Sequence, residues 1–183
     1  MIISAKKILE LNKKYRLIEN LAERELNPEG LGIDIRAGGV YRLGGEGFLG
    51  IEDRETPKIS KMDGSKIVLN PGDYVLVKTM ERINVPRKKI TVDGKRVFLM
   101  PDVYPRSTLQ RSGIYLMATK TDPGYHGELT FAMANLGGAS FKLEIGARIA
   151  NLVFKCATGD LSREYGGQWK GGRVSTKGRE KQI

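Results

Sequence analysis

Asp122 opens the stretch Asp122-Pro123-Gly124-Tyr125, in which a carboxylate, a ring-fixed backbone, a glycine and an aromatic follow one another without a gap. Proline sets φ and glycine supplies backbone freedom, so the four predict a tight turn that presents its acid and its ring together. A carboxylate held that way orients and deprotonates water, or else caps its own backbone in an Asx turn. Arg106 and Ser107 follow Pro105, and a guanidinium beside a hydroxyl and exposed N–H groups makes a cradle for phosphate oxygens. Taken alone, the pair reads more readily as a surface arginine next to a turn serine. The single tryptophan, Trp169, lies among Gly166, Gly167, Gly171 and Gly172, with Arg173 after it. That grouping suits a lid: a ring to stack on a base, an arginine to reach a terminal phosphate, and glycines to let the segment open and close. His126 and Cys156 are the only histidine and the only cysteine. They exclude a disulfide framework and the zinc deaminases, which need His/Cys/Cys or Cys₃ ligation. His126 reads as an exposed residue beside the turn and Cys156 as a small hydrophobe in a strand.

The chemistry-bearing residues fall in five ordered stretches: Gly32 to Ala37, Pro105 to Leu109, Thr121 to Glu128, Arg148 to Phe154 and Gly166 to Arg173. Together these resemble the five motifs of the trimeric dUTPase and dCTP deaminase superfamily, over residues 32 to 173. The resemblance implies that Asp122 activates the attacking water and that the Tyr125 ring lies beneath the deoxyribose, leaving no room for a 2′-hydroxyl. It further implies that Arg106, Ser107 and Arg173, with Arg111 a weaker candidate, hold the phosphates, that Trp169 covers the base, and that three subunits share their active sites in a homotrimer. Asn151 stands where the family usually carries Gln, one methylene shorter, in a place that holds phosphate or its water. Uracil is then read by backbone groups of the hairpin around Ile114 to Lys120, Ala118 among them. Asp34 either fixes the sugar side or a metal-bound water, or only braces a turn.

The two branches of the superfamily attack different atoms. A dCTP deaminase carries a glutamate ten residues after the motif-three aspartate, and here that position is Ala132, whose methyl group transfers no proton. Glu128 lies four residues earlier, about 13 Å along an extended strand, too far to substitute. The place where deaminases read the cytosine amino group falls on Gly172, although Ser107 and Arg111 match residues that deaminases use. The expectation is therefore hydrolysis of dUTP to dUMP and pyrophosphate with Mg²⁺ carried mainly on the phosphates. A dCTP deaminase or bifunctional enzyme is the alternative, and a non-enzymatic basic nucleic-acid-binding β protein the second.

The chain around these residues has 183 residues, 31 Lys plus Arg against 21 Asp plus Glu, and a formal charge of +10. Such an excess attracts phosphate-bearing partners. Aromatics make up only 7%, too few for a base-stacking platform, which argues against a nucleic-acid polymer. No apolar run approaches the ~20 residues of a membrane span, and Met1 to Lys7 show no secretory signal, so a cytoplasmic location is expected. Ser4 predicts an N-cap for a helix over Ala5 to Leu11, with Ile8, Leu9 and Leu11 inward. Beyond it, turn signals separate candidate strands at Lys66 to Leu69, Tyr74 to Met80, Arg96 to Met100, Ile114 to Ala118, Glu128 to Asn135 and Arg148 to Lys155. Alternation places Leu129, Phe131 and Met133 on one face of their strand. Arg36 to Lys61 reads as a long hairpin or surface loop. The expectation is an all-β, distorted jelly-roll or barrel of dUTPase type with a short N-terminal helix. Residues 1–165 would form the β domain and 166–183 a Gly-rich basic lid, its segment Lys170 to Ile183 either mobile or phosphate-binding.

Overall fold

In the computed structural model, which describes residues 1–163 and 165–182, the N-terminal helix spans Ala5–Tyr15, one turn longer than expected. Ser4 Oγ accepts the Lys7 N–H, and Arg16 ends the helix at φ 50°, its own N–H bonded to the Asn12 carbonyl. Ile8 and Leu11 are buried, while Leu9 is partly covered at the edge of the same core.

The remaining long elements are strands in one antiparallel ten-stranded sheet. Its main path runs Ile114–Met117, His126–Asn135, Tyr74–Asn84, Ile33–Gly44, Arg148–Ala157, Lys95–Pro105 and Ile90–Val92. Every strand proposed from the sequence is present, most of them longer than the turn signals suggested. Leu129, Phe131 and Met133 point into the core with Val75, Val77 and Ile83 of the neighbouring strand, and each such side chain contributes about 1.5–3 kcal/mol by leaving water. Their alternates form the outer face. Across it Met117, Ala132 and Leu76 stand side by side, and Tyr115, Ala134 and Tyr74 form the next row.

Two regions depart from expectation. The surface-loop alternative for Arg36 to Lys61 fails at its start, because Ile33–Gly44 is a central strand paired with both Tyr74–Asn84 and Arg148–Ala157. The hairpin alternative holds, with Gly44 opposite Lys58. Gly38 sits at a register shift in this strand, and a Cβ there would come within 2.8 Å of the Thr79 carbonyl. The glycine serves close strand approach, not a turn. Over its described part the basic tail is docked on the β domain. Glu180–Lys181 pairs with Asp53–Glu55, which pairs with Phe48–Leu49, making a three-stranded arm. Thr56 and Thr176 exchange backbone-to-hydroxyl bonds of 3.0 and 2.8 Å beside it. Ile183, the last residue of that expectation, lies outside the described residues.

Candidate active site

The hairpin formed by Ile114–Met117 and His126–Asn135 carries the Asp122 turn in its loop. The turn closes through the Tyr125 N–H on the Asp122 carbonyl at 3.1 Å, and two reciprocal bonds of 2.9 Å between Val85 and Gly124/Tyr125 pin it to the segment just after the neighbouring Tyr74–Asn84 strand. The Tyr125 hydroxyl donates to the Glu128 carbonyl at 2.6 Å. Burial pushes its phenol up to about 12, so at neutral pH the ring is an uncharged wall. Tyr165 packs against it, centroids 6.1 Å apart.

Asp122 and Tyr125 face a cavity of about 350 Å³ with Trp169 and Arg173 of the tail opposite them. Its floor is the outer face of the sheet, with Leu43, Leu76 and Thr130. Asp122 is the one acid among the described lining residues, and Lys120 Nζ lies 2.5 Å from its Oδ1. Two guanidinium groups lie over the Trp169 indole, Arg54 at 4.6 Å and Arg173 at 5.5 Å from its centroid. Glu180 ties the same two arginines together at 3.1 and 2.8 Å. The Arg173 contact first, then that of Arg54, holds its carboxyl below the usual range despite an opposing burial effect.

A second cavity, about 660 Å³, is lined by Asp34, Arg106, Arg148 and Asn151 together with Glu25 and Gly32. Asp34 is buried, and both Arg106 and Arg148 place an Nη1 on its Oδ2, the latter at 2.8 Å. Asn151 Nδ2 donates to Oδ1 at 3.2 Å, and Glu25 accepts the Asp34 N–H at 2.9 Å. Arg106 and Arg148 share one carboxylate oxygen, each side chain about one-third exposed, within a lining that sets Glu23, Glu25, Glu29 and Asp34 against Arg24, Arg106 and Arg148. The two cavities share no lining residue. Asp34 and Leu43 lie on the same strand, and nine extended residues separate them by roughly 30 Å.

The sequence candidates thus divide into Asp122, Tyr125, Trp169 and Arg173 in one cavity and Asp34, Arg106 and Asn151 in the other. Ser107 and Arg111 are exposed on a short helix, Ser107–Arg111, where a turn was expected, and line neither cavity. Ala118 is packed against the core and is also absent from both linings. Asp34 sits inside a strand and its carboxylate holds Arg106, which opens the short helix after Pro105, together with Arg148. Gly172, at φ +74°, lies so close to Glu128 that a Cβ would come within 3.0 Å of its amide nitrogen and nearer still to its carboxylate. No side chain at that position fits against Glu128 while the tail is docked. Glu128 itself does not line the Asp122 cavity. His126 is exposed at a strand start with Arg82 at 3.3 Å. Cys156 is half-buried, its thiol pushed up by burial. Lys120, Thr130, Arg148 and Glu25 carried no assigned role in the sequence reading. Lys120 had a signal in lying two residues before Asp122, and Arg148 in opening a quoted stretch.

Residues 2–157 match a family model described as dCTP deaminase-like. The dCTP deaminase of Thermococcus kodakarensis is 30% identical over 161 residues, 88% of this chain and 89% of that protein. A probable deoxyuridine 5′-triphosphate nucleotidohydrolase of Aeropyrum pernix is 34% identical over 144 residues, 76% of this chain and 82% of that protein. Against the dCTP deaminase of Halorubrum lacusprofundi the match is 36% over 106 residues, 57% of this chain, and spans only about half (47%) of that relative. Among solved structures, the 2′-deoxycytidine 5′-triphosphate deaminase of Agrobacterium tumefaciens shares the fold with a TM-score of 0.64 at 17% identity, covering 85% of this chain and 48% of that one. The fold, the ordered motifs and the span of the family match make the chain a member of the dCTP deaminase-like family, within the dUTPase and dCTP deaminase superfamily.

Proposed function

We propose that this protein hydrolyses dUTP to dUMP and pyrophosphate. The observation that carries the reading is Ala132: it stands on the outer face of the sheet beside Leu76 and Met117, where a deaminase needs a proton-carrying side chain. Asp122 remains as the one acid among the described lining residues of the adjoining cavity. In this mechanism Asp122 takes a proton from water, whose oxygen bonds the α-phosphorus in line with the departing pyrophosphate. The Asp34, Arg106, Arg148 and Asn151 cluster binds the phosphates from a neighbouring subunit of a homotrimer, and Arg173 approaches from the tail. Tyr125 excludes ribonucleotides by bulk. Mg²⁺, when bound, neutralises phosphate charge. Asp34, held between Arg106 and Arg148, is the carboxylate that would face an ion carried on the phosphates there.

A dCTP deaminase, alone or bifunctional, is the second reading, favoured by the activity for which the Thermococcus kodakarensis relative is named. A panel of dUTP, UTP, dCTP and dTTP with Mg²⁺, following pyrophosphate and the ultraviolet spectrum of the base, separates the two. Pyrophosphate from dUTP alone is expected. Conversion of dCTP to a uracil nucleotide would overturn the assignment.

A further inference from the structure

Trp169 and Arg173 face the Asp122 cavity from a stretch that, among the described residues, holds neither helix nor strand between Ala157 and Glu180. Backbone structure of their own does not fix them, so contacts from outside the stretch must. Of the two guanidiniums over the indole, Arg173 belongs to the tail itself, whereas Arg54 comes from the arm strand Asp53–Glu55. Arg54 stands directly opposite Glu180 in the strand pair and gives its Oε1 two bonds, from Nε at 3.3 Å and Nη2 at 3.1 Å, with a side chain only 17% exposed. The other carboxylate oxygen of Glu180 takes Nη2 of Arg173 at 2.8 Å. Arg173 spends Nε and Nη1 on the Ser175 and Gln168 carbonyls at 3.3 and 3.4 Å.

From this we infer that Arg54 is a positioning residue, holding Trp169 directly and Arg173 through Glu180 over the Asp122 cavity of the same chain before a nucleotide enters. The inference rests on the nucleotide-binding reading of this cavity but not on which reaction follows. Arg54 does not line the cavity, so it acts through the two tail residues that do. A guanidinium suits the task because its flat face covers a ring while its edge forks to a carboxylate, and an ammonium group cannot do both. A nucleotide then meets a tail that is already ordered, and the entropy of ordering it is not subtracted from binding. The strand pairing of Glu180–Lys181 with Asp53–Glu55 and the Thr56–Thr176 bonds do not depend on the guanidinium. Loss of Arg54 therefore loosens the ring and the second arginine while the tail stays attached.

Arg54→Gln removes the guanidinium. Acrylamide quenching of Trp169, the one tryptophan, reads how well the ring is covered, and calorimetry with the α,β-imido analogue of dUTP, which resists attack at the α-phosphorus, reads binding. In the free variant Trp169 is expected to be quenched more easily than in the wild type, and equally once both are saturated with the analogue. Affinity is expected to fall about three- to tenfold, with the Tm within about two degrees because the tail opens without unfolding the sheet. Unchanged quenching in the free variant, or unchanged affinity, would overturn the inference. A lowered Tm with quenching and affinity intact would make Arg54 a structural residue only. If Arg54→Gln does not fold, Arg54→Lys makes the same comparison, keeping the charge on Glu180 but not the flat cover of the indole, and the same directions of change are expected. A wild type that binds no analogue defeats the nucleotide reading of the cavity, whereas equal binding by wild type and variant defeats only the role of this arginine.

Discussion

Lys120 and Asp122 form a 2.5 Å ion pair in which the lysine is 65% exposed and the aspartate 35%. At that exposure the pair contributes ~0–1 kcal/mol to stability, too little to account for it as a structural brace. Its consequence is positional: with Oδ1 engaged, Oδ2 is left to face water, and a general base works only when its geometry is fixed. Lys120→Met is expected to leave the Tm within about a degree or two while kcat falls roughly tenfold, and Lys120→Arg to restore most of it. Steady-state kinetics of dUTP hydrolysis with parallel thermal melts checks this. A fall in Tm without loss of kcat would make the contact structural only. The aspartate was readable from its turn, whereas the lysine's one signal, its place two residues earlier, does not say that it folds back on the acid from an irregular loop.

At the scale of elements, strands announced themselves where one face is core and the other is not, as in Leu129, Phe131 and Met133. Ile33–Gly44 was hidden for the opposite reason: Gly38 and Gly39 carry the signature of a loop, yet they occupy a bulge in a central strand. With Thr79 backbone atoms 2.8 Å from a Cβ at Gly38, Gly38→Ala forces rigid main chain apart. A loss of about 1–3 kcal/mol is expected, measured as a lowered urea midpoint. A loop glycine would show almost no change. The tail was legible as a lid through Trp169 and its glycines, whereas its docking strand was not, since Glu180–Lys181 is two residues long and finds its partner 126 positions away. Arg173 and Arg54 depress the Glu180 carboxyl. A carboxylate with a depressed value when docked supports docking above its undocked value, and that support is lost as pH falls through the docked one. Trp169 fluorescence should therefore report release of the tail on acidification below about pH 4, and Glu180→Gln should flatten that transition at neutral pH as well as in acid.

Over the whole molecule, the five motif stretches were visible in sequence as one ordered set, but their division between two separate cavities follows only from the path of the sheet. Asp34 begins the same strand whose far end, Leu43, walls the Asp122 cavity. One chain accordingly offers a carboxylate, ring and lid at one place and an arginine pair at another, and the proposed hydrolysis needs a second copy to bring the arginines to the carboxylate. This makes complementation decisive. On the proposed mechanism Asp122→Asn removes the base and Arg106→Gln a phosphate-binding group, so each variant alone should be nearly inactive toward dUTP. If each site joins Asp122 of one subunit to Arg106 of its neighbour, unfolding and refolding the two variants together in equal amounts makes random trimers. In these about a quarter of sites pair an intact Asp122 with an intact Arg106, giving about a quarter of wild-type activity per subunit. Sites contained within single chains would recover none of it, because every chain in the mixture carries one of the two lesions.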